Sequence, residues 1–317
     1  MNEFVEYAIS VVVIPAVVGT VAAVPVLVGP LRRRPALVEG AVAIAVALAF
    51  LLSFTRELDA NAVLRQFVTI PDDTQAVERW HRLAFAAIAL GIAAPVVAAL
   101  RARVPRGGER VVTVLATVLA ALSVGMLVEF PRATATTQIW QGVLCVLATF
   151  GYARFSQQAA IWAAWVVFGV LSVLALEGGF ASLAVMAGAL SAASFGIGVA
   201  GFVGARLTRE PAPVAVSGAL ALVLGVLTAL VARCGQAYDQ QELPVWAWTV
   251  APLLPYAGLA FGDLAQRAPS RSATTFWRAL GTLLLAAALL AAFAVARSAG
   301  DEGADDAGGD PMDGIYG

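Results

Sequence analysis

Ten uninterrupted apolar segments, each long enough to cross a lipid bilayer, constrain this chain more than any other feature. A helix needs about 20 residues to cross the hydrocarbon core. Because the segments are continuous and do not alternate, they predict helices and not the strands of a membrane barrel. The sequence therefore predicts an all-α polytopic membrane protein with about ten transmembrane helices in one bundle. The segments are Ala8–Gly29, Ala36–Phe54, Leu83–Leu100, Val111–Val128, Ile139–Phe155, Ala159–Leu176, Phe180–Ala205, Val214–Val231, Val245–Phe261 and Ala279–Val295.

Composition agrees with this prediction. Of the 317 residues, 60% are apolar and 13% are charged, whereas soluble domains have roughly 45–50% apolar and about 25% charged residues. These values exclude a soluble enzyme and a disordered protein. The formal net charge of −1 leaves no polybasic surface for nucleic acid. The lipid bilayer is therefore the predicted partner, and no nucleic acid is expected.

The positions of the arginines predict the orientation of the bundle. All 20 basic residues are arginine, and thirteen of them follow the first, third, fifth, seventh and ninth segments. Because cytoplasmic loops carry the excess of basic residues, that side is predicted to be cytoplasmic and both termini to lie outside. A lysine-free chain rich in alanine, valine and glycine is typical of GC-rich coding. The predicted location is therefore the cytoplasmic membrane of a bacterium.

Tryptophans mark the two predicted membrane interfaces, because the indole ring is apolar while its N–H needs a polar partner. Trp80, Trp140, Trp246 and Trp248 are expected at the outer interface, and Trp162, Trp165 and Trp277 at the inner one.

Two regions fall outside the predicted bundle. Residues 1–298 are expected to form the transmembrane domain, and residues 299–317 an acidic tail rich in glycine and aspartate. This tail contains too little apolar surface to offset the entropy of ordering it, so it is predicted to be disordered. The longest loop, Thr55–Arg82, lies on the predicted outer side and contains the single histidine.

An internal similarity has two interpretations. Pro71, Thr74, Trp80, Gly91 and Ala93 recur sixty residues later as Pro131, Thr134, Trp140, Gly151 and Ala153. The similarity indicates either a duplicated two-helix hairpin or a coincidence of residues that are common in membrane proteins.

Glu39 is the one acidic residue placed clearly inside an apolar segment. An ionisable group within a membrane helix is a functional hypothesis by default, here a residue that binds substrate or couples transport to a cation. The alternative is an interfacial glutamate that pairs with Arg32, Arg33 or Arg34 or reaches water.

A second candidate is the outer-loop cluster of Asp72, Asp73, Glu78 and His81. Glu78 and His81 have the Glu-x-x-His spacing that places a carboxylate and an imidazole on one helical face. Metal sites in helix bundles use two such motifs, and this chain has one histidine. No metal or other cofactor is therefore predicted, and the alternative is a solvated turn at the interface.

The seventh segment is rich in small residues, which allow helices to approach closely. We expect close packing there, with a homo- or hetero-oligomer formed through small-residue faces as a further possibility. The residues are Gly188, Ser191, Ser194, Gly196, Gly198, Gly201 and Gly204.

No sequence motif assigns an activity. A phosphate-binding loop, a nucleophile elbow, a Cys-x-x-Cys pair and a His-Glu-x-x-His pair do not occur. No catalytic residue is therefore named, and a non-enzymatic role is expected. The first hypothesis is a transporter for a neutral or amphipathic small molecule, the second a non-catalytic membrane subunit, and the third a membrane enzyme acting on lipids.

Overall fold

The computed structural model describes Glu6 and residues 9–28, 34–54, 79–103, 109–131, 133–155, 157–208, 218–258 and most of 280–294. Within these ranges 91% of the residues are helical and none is in a strand. The predicted acidic tail, 299–317, and most of the outer loop, 55–78, lie outside the described residues.

The helices follow the predicted apolar segments. They are α1 (Ile14–Val28), α2 (Pro35–Ser53), α3 (Arg82–Arg103), α4 (Glu109–Leu127), α5 (Ala135–Ala153), α6 (Gln157–Glu177), α7 (Ala181–Thr208), α8 (Gly218–Tyr238) and α9 (Val245–Val250). A π-helical turn, Ile9–Val13, precedes α1, and 3-10 turns at Arg79–His81 and Ala251–Leu253 precede α3 and follow α9. Further helical residues occur within 280–294.

Five of these helices are long and apolar enough to cross a membrane: α2, α3, α6, α7 and α8. The shorter apolar stretches Ile9–Pro25 and Val114–Leu127 lie within the first and fourth predicted segments. The architecture is thus consistent with a membrane protein, and the count of ten spans stays a prediction.

Helix α8 is the centre of the bundle. In α8, 89% of the apolar span is buried inside the protein, compared with 44–67% in the other four long helices. It packs against α2, α3, α4, α5 and α6. A helix that is apolar on every side is equally suited to face lipid or protein, so its central place could not be read from its composition.

Two predicted segments have different limits in the structure. The eighth segment was expected to end at Val231, but α8 continues to Tyr238. The ninth segment, Val245–Phe261, was expected to be one continuous helix. In the structure it changes from α9 to a 3-10 turn that contains Pro252, a residue without a backbone N–H to donate to a helix.

Contacts at the two ends of the bundle give the relative directions of the helices. Trp80, before α3, contacts Phe54 after α2, Phe180 before α7 and Tyr238 at the end of α8. At the opposite end, Glu39 near the start of α2 contacts Arg101 near the end of α3 and Ala219 at the start of α8. We call these the Trp80 end and the Glu39 end. The directions agree with the alternation that the arginines predict, and the sidedness in the cell stays a prediction.

The four tryptophans predicted at the outer interface divide into two kinds. Trp140 and Trp246 are exposed on the bundle surface, as expected at a membrane interface. Trp80 and Trp248 lie at the same end but are buried within the protein. Trp80 packs among aromatic rings, and the indole N–H of Trp248 donates to Asp239 at 3.1 Å. These two therefore join helices to one another and do not face lipid.

The two copies of the sixty-residue similarity also differ. Trp80 is buried in a 3-10 turn before α3, whereas Trp140 is exposed in the second turn of α5. The corresponding tryptophans thus have different surroundings.

Small residues of α7 are used for packing inside the chain. A side chain at Gly196 would meet Thr20 of α1, and one at Gly198 or Gly201 would meet Trp162 or Gln158 of α6. The hydroxyl of Ser191 donates to the carbonyl of Trp165 at 2.8 Å. Part of the predicted small-residue face is thus covered by α1 and α6, and an oligomer stays a prediction.

The turn between α6 and α7 fixes the antiparallel pairing of these two helices. Gly179 has a φ of +79°, which a glycine adopts without strain. The N–H of Phe180 donates to the carbonyl of Ala175 and that of Gly179 to Leu176, the hydrogen bonds of a Schellman motif. The N–H of Gln240, just after α8, donates to the carbonyl of Gly178 and ties this turn to the central helix.

Candidate functional site

Glu39 is buried where three helices meet. Its side chain is 2% exposed. Oε2 accepts a hydrogen bond from Nη1 of Arg101 at 3.2 Å, and Oε1 accepts one from the backbone N–H of Ala219 at 2.6 Å. We call Glu39, Arg101 and Ala219 the Glu39 joint, because they link α2, α3 and α8.

The local fold explains why this carboxylate is stable at its site. α2 begins at Pro35, so Glu39 falls in its second turn and points into the bundle. Ala219 lies in the first turn of α8, where backbone N–H groups have no acceptor within their own helix and the helix dipole favours an anion. Arg101 lies in the last turn of α3, where a cation is favoured. Glu39, near the positive end of α2, and Arg101, near the negative end of α3, thus each lie at the helix end that suits their charge.

The geometry changes the sequence-based expectation for Glu39. The structure shows an ion pair between Glu39 and Arg101, 62 residues away. Of the nearby arginines that the sequence suggested as partners, Arg32 and Arg33 lie outside the described residues. Both carboxylate oxygens accept hydrogen bonds from the protein. The arrangement suits a residue that holds helices together, and a substrate would have to displace one of these partners to reach it.

The predicted outer-loop cluster is described at one position. Asp72, Asp73 and Glu78 lie outside the described residues, whereas His81 closes the 3-10 turn before α3. Its ring is half-buried, with its centroid 4.1 Å from that of Trp80. No group of three metal-ligating side chains occurs among the residues that the structure describes.

The Trp80 end is closed by aromatic packing. The ring of Trp80 stacks on that of Phe54 at 5.7 Å and meets Phe180 edge to face at 5.6 Å. Its backbone N–H donates to the hydroxyl of Tyr238 at 3.2 Å. Nearby, Arg82 pairs with Glu129 of the segment after α4 at 3.1 Å, with both side chains 39% exposed. This second ion pair has almost the same length as the one in the Glu39 joint but is far more exposed.

Buried polar atoms without a hydrogen-bond partner occur at four described positions: Thr117 Oγ1, Tyr152 Oη, Ser194 Oγ and Arg233 Nε. Tyr152 Oη lies beside the hydroxyl of Thr228 but without the geometry of a hydrogen bond. Three of the four are neutral hydroxyls, whose burial is the less costly kind. Arg233 carries a full charge and is therefore the exceptional member of this group.

Sequence reasoning missed Arg233 as a candidate residue. The apolar segment stops at Val231, so Arg233 was expected in an outer loop. In the structure it lies within α8, five residues before the last helical residue, and is half-buried. A search for an arginine followed by further helix-forming residues could have flagged it, since Cys234 to Tyr238 contain no proline and one glycine.

Comparison with known proteins does not suggest a function for the chain. No protein-family model matches the chain, and no curated protein matches it significantly.

Proposed function

We propose that the chain is a multi-pass integral membrane protein of about ten spans that transports a small neutral or amphipathic molecule. The single observation that carries this proposal is the Glu39 joint. A buried ionisable group in a membrane helix is costly and usually marks a functional pathway.

The joint has the properties of a releasable contact between helices. These two hydrogen bonds share one carboxylate, and Arg101 and the positive end of α8 are two of the groups that face it. Protonation of Glu39 would remove the negative charge and so weaken both contacts at once. Glu39 would then act as the coupling residue, because its charge controls whether α2, α3 and α8 remain joined at this end.

A second candidate function is a non-catalytic membrane subunit. The observation that favours it is the central helix, since α8 fills the middle of the bundle with apolar side chains. A lipid-acting enzyme is the third candidate. It rests on Asp72, Asp73, Glu78 and His81, and only His81 lies among the described residues.

Purification of the full chain in mild detergent, followed by mass spectrometry of whatever co-purifies, tests the proposal. We expect the parent protein and the Glu129→Gln variant to retain the same small molecule and Glu39→Gln to lose it. Glu129 is the matched control because it also pairs with an arginine. A stoichiometric partner protein without a bound small molecule would favour the subunit instead.

A further inference from the structure

Arg233 is a cation within the central helix of the bundle. It lies in α8, about one and a half turns before Tyr238, towards the Trp80 end. Most arginines that the structure describes are exposed or lie at helix ends. Placing an arginine on the most buried helix requires a reason, because charged side chains in membrane helices are costly and usually functional.

The guanidinium group of Arg233 has one polar contact in the described part of the chain. Nη1 donates to the Oε1 of Gln236, one turn further along the same helix. Nε is buried without a hydrogen-bond partner. No carboxylate pairs with Arg233 among the described residues, whereas Arg82 and Arg101 are each paired with a glutamate. The neutral amide of Gln236 orients the guanidinium group but does not compensate its charge.

Arg233 is half-buried and has no carboxylate partner among the described residues. Such a cation is stabilised when another group supplies the negative charge. The planar guanidinium fork presents paired donors that match the two oxygens of a carboxylate or phosphate. We propose that Arg233 is an anion-binding residue that binds a carboxylate or phosphate group, with Gln236 as its positioning residue. The site does not depend on the chain being a transporter, because a membrane subunit could equally bind an anionic lipid here.

Two sources of the anion share this chemistry: a soluble small molecule and the headgroup of an anionic phospholipid. Thermal unfolding of the purified full chain in a neutral detergent distinguishes them. The probes are inorganic phosphate, octanoate and dioctanoyl-phosphatidylglycerol, with dioctanoyl-phosphatidylcholine as the lipid control. Stabilisation by phosphate or octanoate indicates a soluble anion. Stabilisation by phosphatidylglycerol alone indicates a headgroup.

We expect at least one anionic probe to raise the Tm of the parent saturably. Arg233→Gln should weaken its apparent affinity by about tenfold or more, the effect of losing a charge-assisted hydrogen bond. The matched control is Arg206→Gln, since Arg206 is an exposed arginine near the end of α7, 5.0 Å from the ring of Phe202. This control should bind like the parent, and Arg233→Lys should fall between the parent and Arg233→Gln because it keeps the charge but loses the fork.

A second measurement separates binding from a structural role. If Arg233 has no carboxylate partner, ligand-free Arg233→Gln should unfold at the same temperature as the parent or higher. A marked fall in its Tm, or failure to fold, would mean that the arginine is already paired within the protein and would overturn the proposal. The proposal would also be overturned if every probe stabilised the parent and Arg233→Gln equally, or if no probe stabilised either protein.

Discussion

Glu39 and Glu129 each accept a hydrogen bond from an arginine at 3.1–3.2 Å, but their surroundings differ. Glu39 is 2% exposed and its partner 28%, whereas both members of the other pair are 39% exposed. Removing one partner of a buried pair leaves an uncompensated charge, while an exposed pair is screened by solvent. Because Arg101 is partly exposed, we expect Glu39→Gln to lower the free energy of unfolding by roughly 3 kcal/mol, the lower limit for a buried pair, and Glu129→Gln by about 0–1 kcal/mol. Unfolding in mixed micelles measures both.

The double variant Glu39→Gln/Arg101→Gln isolates the pair from the rest of the joint. Its loss should be smaller than the sum of the two single losses, because the second substitution removes the charge that the first left alone. Equal losses for Glu39→Gln and Glu129→Gln would show that burial does not set the strength of the joint.

At the scale of elements, the backbones of α8 and α5 approach each other closely at Gly225. A Cβ added at Gly225 would lie 2.3 Å from the backbone nitrogen of Thr149, so the two backbones would have to separate. At Gly91 of α3, the atom nearest to an added Cβ would be the Cβ of Ala47, at 3.6 Å, which is an ordinary van der Waals contact. Gly225→Ala should therefore destabilise the protein by about 1–3 kcal/mol through overpacking.

Gly91→Ala is the matched control for this contact. It should be neutral or stabilising by up to about 1 kcal/mol, because alanine is the better helix former. Thermal unfolding of both variants checks the difference. A tolerated Gly225→Ala would argue against the close approach of α5 and α8.

The sequence predicts which segments form helices better than it predicts which helices pack against one another. Apolar runs place α2, α3, α6 and α7 within a few residues of their observed limits, because crossing a bilayer demands a continuous apolar helix. It does not indicate which helix is central, since lipid and protein interiors favour the same side chains. The partner of Glu39 was therefore sought among nearby arginines, although it lies on α3. Arg233 was missed for a related reason: a helix within a bundle can continue past the end of its apolar run.

For the whole molecule, the two ends of the bundle give a direct test of orientation. Gln240 is exposed at the Trp80 end, and Arg103 is exposed at the end of α3 that carries Arg101. The native Cys145 and Cys234 are buried free thiols, so their labelling background should be low. We expect Gln240→Cys to react with a membrane-impermeant maleimide in intact cells, and Arg103→Cys only after permeabilisation, because the arginine-rich side is predicted to be cytoplasmic.

The opposite labelling pattern would reverse the orientation and leave the fold unchanged. Labelling of both cysteines from one side would contradict the arrangement of α3 and α8 across a membrane.

The central place of α8 also has a consequence for biosynthesis. The ribosome makes α2 to α6, which surround α8, before α8 itself, and at about 5–20 residues per second α8 follows the end of α2 by many seconds. During that interval Glu39 lacks its hydrogen-bond donor in the first turn of α8, and helices α2 to α6 lack the helix against which they pack. A ribosome that stalls before residue 218 would thus leave a chain with an incomplete interior, and membrane quality-control proteases should degrade that product faster than the finished protein.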